Sequence, residues 1–288
     1  MFTRFRGFQL ADEGSLFSFY TNGHYTLIEA RIPKAGIEVL AADLTRHNAQ
    51  HIDVLHITSW DLDHCNSTDL MQIINQFRPA IIEVPDYEPE TDDGRLCKRI
   101  IFKYDVIHQA YRHNVRVMSL DYMRTLPAAR PRGTEYVVYP SEFQCNNKND
   151  KSLIKLFRSE NFSVLSLGDC ESCDLGKRLS NDELIRTEVD VLILPHHGAD
   201  NGFITGELLD VIRPKVAICS SNMGNMYDHP RQAIRNLLNE RGIPLLTTKR
   251  GDVVVWHDNG LQSNAVSFNG DNAAVESGFS FTPKRYTA

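Results

Sequence analysis

Asp61, Asp63 and His64 fall close together in VLHITSWDLDHC, residues 54–65. The stretch opens with Val54-Leu55-His56-Ile57-Thr58, an apolar, β-branched run of the kind that forms a buried strand. Carboxylates at i and i+2 and an imidazole at i+3, just past a strand end, converge on one small volume. Unless something cationic sits between them, they repel or stay unsatisfied. Asp and His together are the ligand set of a zinc or manganese hydrolase. The bland reading is a loop of solvated acids beside an ordinary histidine. Two further runs decide against it. Val191-Leu192-Ile193-Leu194 ends in Pro195-His196-His197-Gly198, and Val164-Leu165-Ser166-Leu167 ends in Gly168-Asp169. Three buried-strand patterns, each delivering Asp or His at its end, point to a metal centre.

The elements that must carry these residues alternate along the chain. Residues 8–32 read as a hairpin around an Asn22-Gly23 turn. Helical spacing follows over 37–48, and after the motif strand a helix over 68–77 is stopped by Arg78-Pro79. Residues 80–85 read as a strand, the acidic run 86–93 as a solvated loop, 96–113 as a helix and 115–120 as a strand. Residues 125–133, with Pro127 and Pro131, read as a connector. Strands are predicted over 136–139, 152–157 and 162–167. From 189 onward, strands over 190–194, 215–220 and 244–248 alternate with helices over 203–212 and 230–240, closing with a strand over 252–256. Such alternation argues an α/β protein.

Composition narrows the class. The chain has 288 residues and a net charge of −6, enough length for a substantial core and the wrong charge for coating nucleic acid non-specifically. A local basic groove is still compatible with that charge. No apolar run reaches the roughly 18 residues of a membrane span. The segment MFTRFRGFQL lacks the apolar core of a secretory signal. Six cysteines in that setting read as reduced thiols, which implies a cytoplasmic protein. Cys170 and Cys173 form a lone CxxC with no second pair, so they read as packed or exposed thiols rather than a zinc knuckle.

The motifs together resemble metallo-β-lactamase-fold hydrolases, and within them the soluble hydrolase domain of the ComEC DNA-uptake family. That family reads Thr-His-x-Asp-x-Asp-His where this chain has Thr58-Ser59-Trp60-Asp61-Leu62-Asp63-His64. Asn149-Asp150-Lys151-Ser152-Leu153 is similar to its polar turn, Leu167-Gly168-Asp169 to its Thr-Gly-Asp, and Pro195-His196-His197-Gly198 to its HHG segment. The span from Asn222 to Asp228-His229-Pro230 is similar to its Asn-x-x-Gly-His-Pro, and Thr248-Lys249-Arg250-Gly251-Asp252-Val253 to its closing strand. At LIEAR, residues 27–31, the match is loose, because the family has Asp-Gly there.

The resemblance implies an αββα sandwich of two mixed sheets with helices outside, as one hydrolase domain over 1–269 and a C-terminal tail, 270–288, that is flexible or docks elsewhere. It implies a firm divalent metal, zinc or manganese, on Asp63, His64, Asp169 and either His197 or His196. Ser59 departs from the pattern, standing where the first histidine ligand is expected, and strand alternation puts His56 on the opposite face. The other metal position keeps Asp61, Asp169 and Asn149 or Ser152, oxygen donors suited to a weaker manganese or magnesium.

The implied activity is hydrolysis of phosphodiester bonds by metal-activated water, with nucleic acid as substrate. Asp61 and Asp169 act at the metal, Asp61 orienting the water. His229 faces the leaving group, unless it caps the helix after Pro230. Asn222, Tyr227, Lys249 and Arg250 bind substrate. The competing expectations are a hydrolase of a small ester or phospho-ester, and a degenerate one-metal scaffold acting through a partner protein. Ser59 favours the scaffold. The retained acids favour an enzyme, because a structural metal needs about four ligands and no spare acid. Oligomeric state is not readable from the sequence.

Overall fold

The computed structural model describes residues 2–108, 115–126, 136–140 and 146–287. The first half contributes strands β1 (Thr3–Gly7), β2 (Phe17–Thr21), β3 (His24–Ile28), β4 (Val54–His56), β5 (Ile81–Pro85) and β6 (Val115–Met118). Between them lie helices α1 (Glu38–Arg46), α2 (Ser67–Phe77) and α3 (Asp92–His108), with α4 (Leu120–Thr125) after β6. The second half contributes β7 (Tyr136–Tyr139), β8 (Ile154–Phe157), β9 (Ser163–Ser166), α5 (Cys173–Ser180), α6 (Glu183–Glu188), β10 (Val189–Ile193), α7 (Gly206–Ile212), β11 (Val216–Cys219), α8 (Gln232–Glu240) and β12 (Leu245–Thr247). Strands β13 (Val253–His257), β14 (Ser263–Phe268) and β15 (Val275–Phe281) then return to the first sheet.

Two sheets result, a nine-stranded one in the order β15-β14-β13-β1-β2-β3-β4-β5-β6 and a six-stranded one in the order β12-β11-β10-β9-β8-β7. Each is antiparallel over one part and parallel over the other. Phe5, Phe19, Phe157, Val164, Val191 and Val255 from both sheets share one buried layer. Leu27, Leu55 and Ile82 instead pack on Leu44, Ile73 and Ile101 of α1–α3. Leu156, Leu165 and Leu192 pack on Leu179, Leu209 and Leu238 of α5, α7 and α8. Successive strand residues therefore face opposite layers, which is why the strands read as continuous apolar runs. The αββα sandwich expected from the sequence is the fold observed.

Local sequence explains the boundaries that matter. Asn22 and Gly23 both take positive φ, the two-residue turn that joins β2 to β3. Asn66 caps α2 by accepting from the amides of Thr68 and Asp69, and the helix ends at left-handed Arg78 before Pro79. Some expectations differ. Helix α3 begins at Asp92, inside the acidic run assigned to a solvated loop, and Asp93 is engaged by the Ser67 amide and hydroxyl. Short helices α4, α5 and α6 have Ser119, Ser172 and Asp182 as caps. They are too brief to show a helical period. The segment after 270 is not a loose tail. Strand β15 pairs antiparallel with β14, and beyond it the Lys284 amide donates to Asp190, 2.8 Å away. The helical pattern expected beyond 108, and most of the connector with Pro127 and Pro131, lie outside the described residues.

Candidate metal centre

The four residues that converge do so from the carboxyl ends of strands in both sheets, where open α/β sheets bind ligands. Asp63 and His64 follow β4, Asp169 follows β9 and His197 follows β10. One donor atom from each lies within 4.8 Å of all the others. His64 Nε2 is 2.8 Å from Asp169 Oδ2, and His197 Nε2 is 3.1 Å from Asp63 Oδ2. Ligands about 2.1 Å from a tetrahedral ion are about 3.4 Å apart, so the spacing suits a metal after small adjustments.

The backbone is built for this convergence. Ser15 and Ala30 donate their amides to the carbonyls of Asp63 and His64. Arg31 reaches the Leu62 carbonyl at 3.1 Å. Gly168 takes φ +55°, and a Cβ there would meet the Ser152 Cβ at 2.6 Å. Gly198, at φ +79°, would strike Pro230 in the same way. His196 and His197 both adopt left-handed conformations, φ 45° and 53°, at roughly 1–2 kcal/mol each for non-glycine residues. That turn divides the pair. His197 faces the cluster, whereas His196 Nδ1 lies 2.5 Å from Glu171 Oε1, outside the four.

Hydrogen bonds set the tautomers. His197 Nδ1 is 3.0 Å from the Ser220 carbonyl, which can only accept, so Nδ1 carries the proton and Nε2 turns its lone pair to the cluster. His64 Nδ1 is 3.1 Å from Glu29 Oε1 and 3.2 Å from the Thr58 hydroxyl. Its Nε2, buried, has no hydrogen bond of good geometry despite the nearby carboxylate. Two imidazoles presenting Nε2 to two carboxylates fit a divalent ion, and the mixed N/O set matches zinc or manganese. Burial alone would lower the pKa of His64, but Asp169, Asp63 and Glu29 outweigh it and raise it well above the ordinary value. Burial would raise Asp169, yet His64 holds it below the usual carboxylate range. The centre attracts a positive charge whichever ion or proton supplies it.

Glu29 is the residue the sequence did not reveal. It stands at the loosely matching LIEAR segment, 2% exposed with φ 71°, and accepts from the Thr58 amide at 3.0 Å. The signal was there: a carboxylate beside the family's Asp-Gly position, ahead of the motif strand. Glu29→Gln keeps the shape and removes the charge behind His64. It is expected to weaken metal affinity roughly 10–100-fold with little change in fold, read by titration against a competing chelator. Unchanged affinity would mean that Thr58 alone orients the ring.

The remaining candidates divide. Asp63, His196, His197, Asn222, Tyr227 and His229 line a pocket of about 60 Å³. Arg231 occupies the N-cap position of helix α8 without a side-chain capping bond, so His229 is not its cap. Its Nδ1 is buried without a partner, and its ring stacks on Tyr227 at 5.6 Å. Burial, then His197 and His196, lower the His229 pKa to about 4, which leaves it a neutral donor near pH 7. Lys249 and Arg250 do not line this pocket, and Arg250 extends to Glu276 at 3.5 Å because β15 lies alongside. Asp61 lies outside the four-residue cluster and pairs with Lys148 at 2.9 Å. His56 bonds Glu83 at 2.8 Å and is not part of the cluster. A larger groove, about 1150 Å³ and lined by Arg4, Tyr20, His47 and Trp256 among others, contains none of the cluster.

No family model matches the chain. It is 24% identical over 222 residues to ComE operon protein 3 of Bacillus subtilis, which covers 77% of this chain and 26% of that protein. It is 33% identical over 113 residues to competence protein ComA of Neisseria gonorrhoeae, covering 38% of this chain and 16% of that protein. The chain thus spans a minor part of both relatives. Among solved structures, the metallo-β-lactamase-fold protein YhfI of Bacillus subtilis matches with a TM-score of 0.53 at 11% identity, over 88% of this chain and 100% of that one. A CmlA β-hydroxylase variant matches with a TM-score of 0.52 at 14% identity, over 88% of this chain and 53% of that one. A hydroxylase on the same frame shows that the fold does not choose the reaction. The chain has the metallo-β-lactamase fold, and over part of its length its sequence is similar to competence proteins of the ComEC kind.

Proposed function

We propose that this chain is a one-metal hydrolase of phosphodiester bonds. The observation that carries the reading is the convergence of Asp63, His64, Asp169 and His197 beside a pocket that His229 faces. A divalent ion held there would acidify a water molecule and offset charge on phosphoryl oxygens. The protein's own groups do the rest. Glu29 and the Ser220 carbonyl lock the two imidazoles. His229, neutral near pH 7, donates a hydrogen bond to a substrate oxygen without repelling a neighbouring cation. A pocket of about 60 Å³ holds a phosphoryl group or about two waters, while the bulk of a longer substrate extends over Tyr227, which is 55% exposed. Likeness to competence proteins favours a nucleic acid as that substrate.

The test is metal content per chain, together with hydrolysis of DNA, RNA, a generic aryl phosphodiester, a phosphomonoester and a carboxylic ester under zinc and under manganese. The expected result is one ion per chain and cleavage of the diesters. Cleavage confined to the monoester or carboxylic ester would select the small-ester reading. Inertness towards all five with metal bound would leave a scaffold that works through a partner.

A further inference from the structure

We propose that the Lys148 ammonium is the resident cation of the second metal position, so that a lysine performs the electrostatic work of the missing ion. The proposal rests on the one-metal reading above. The side chains of Ser59, Asn149 and Ser152, around the second position, each already bond a protein group. Ser59 Oγ is 3.0 Å from the Tyr87 hydroxyl, Asn149 donates to Glu171 at 3.1 Å, and Ser152 Oγ accepts the Asp169 amide at 3.2 Å. Asp61, the one acid belonging to that position alone, is bonded to Lys148 Nζ at 2.9 Å. Among the described residues, the single group able to hold a metal is the one without Asp61.

Lys148 is placed rather than adventitious. It immediately precedes a short 3-10 turn, Asn149–Lys151, whose flanks are pinned. Asn147 donates to Glu171 at 2.8 Å, and the Leu153 amide donates to the Thr58 carbonyl at 2.9 Å. Asp150, within the turn, accepts the amides of Glu171 and Ser172. The loop is thereby fixed to both the Asp169 strand end and the motif strand. The Lys148 side chain remains 41% exposed, so an anionic substrate oxygen can reach it. A lysine is a point charge with three donors. It can keep one bond to Asp61 and give another to a phosphoryl oxygen. The same pairing explains how Ser59 is tolerated: a position filled by an ammonium does not need an imidazole ligand.

The test counts bound zinc or manganese after equilibrium dialysis and measures affinity of the metal-loaded protein for inorganic phosphate by calorimetry. Wild type is expected to hold one ion per chain. Lys148→Met should keep one ion but bind phosphate about tenfold or more weakly, the scale of one charge-assisted hydrogen bond. Lys148→Arg should stay within about threefold of wild type, since the charge is kept. Lys148→Met combined with Ser59→His should gain a second ion. Two ions in wild type, or phosphate affinity unaltered in Lys148→Met, would overturn the proposal. One ion with a lysine-dependent phosphate site but no diester cleavage would reject the reaction and retain the lysine's role. A wild type that binds no metal would reject both.

Discussion

Asp169→Asn is expected to strip the centre of its metal, weakening affinity by more than the roughly 100-fold that loss of an outer-shell partner causes. Hydrolysis at limiting metal should fall by about two to four orders of magnitude. The substitution keeps the shape of the side chain and leaves the Asp169 amide on Ser152 Oγ. What it removes is the charge 2.8 Å from His64 Nε2. It also offers an amide N–H where a cation has to sit. The fold should hold, because Asp169 belongs to none of the apolar layers. His196→Ala is the matching control. His196 lies against Glu171 rather than the cluster, so metal content should be retained while any effect falls on substrate affinity. Metal lost in His196→Ala would show that the left-handed turn presents the other histidine, and metal kept in Asp169→Asn would show that Asp169 is not a ligand.

That pair illustrates what the sequence could and could not reveal. Chain chemistry alone marked the strand ends that deliver Asp63, His64, Asp169 and a histidine, because buried parallel strands leave continuous apolar runs and polar residues at their ends are conspicuous. Which of His196 and His197 turns inward depends on backbone dihedrals at a two-residue left-handed turn, and adjacent identical residues carry no sign of that. Arg4 and Arg6 give strand β1 the sequence of a solvated segment. Both arginines are drawn into a buried pairing with Asp43 at 2.5 and 2.7 Å. Strand β15 is inconspicuous in sequence for the opposite reason. It is an edge strand, mostly exposed, held by its ladder to β14 rather than by apolar side chains. Lys148 lay within a stretch that reads as an ordinary polar turn, and only the three-dimensional approach to Asp61 gives it a role.

Away from the metal centre, the largest expected effect on stability belongs to Lys155. It projects from β8 into the layer between the sheets, 1% exposed, and its ammonium lies 2.5 Å from Glu83 Oε2 on β5. Glu83 also bonds His56 Nδ1 at 2.8 Å, and Arg116 approaches its other oxygen at 3.9 Å. The rings of Tyr136 and Phe157 lie 4.0 and 5.0 Å from the ammonium, a surrounding that favours a cation. Burial would raise the Glu83 pKa, yet Lys155 and His56 hold it well below the ordinary carboxylate range. Lys155→Met fills the same space but leaves a fully buried carboxylate with only His56 and one distant arginine as partners. The expected loss is about 3–5 kcal/mol, a large share of the roughly 5–15 kcal/mol that holds a domain folded. Urea unfolding should show it as a lower midpoint with an unchanged slope. Lys155→Met with Glu83→Gln should recover most of the loss, because Gln carries no charge and still accepts from His56. The apolar surroundings then no longer oppose an unpaired ion. A single variant that loses less than about 1 kcal/mol, the scale of an exposed pair, would mean that water reaches Glu83 and that the two sheets are not sealed there.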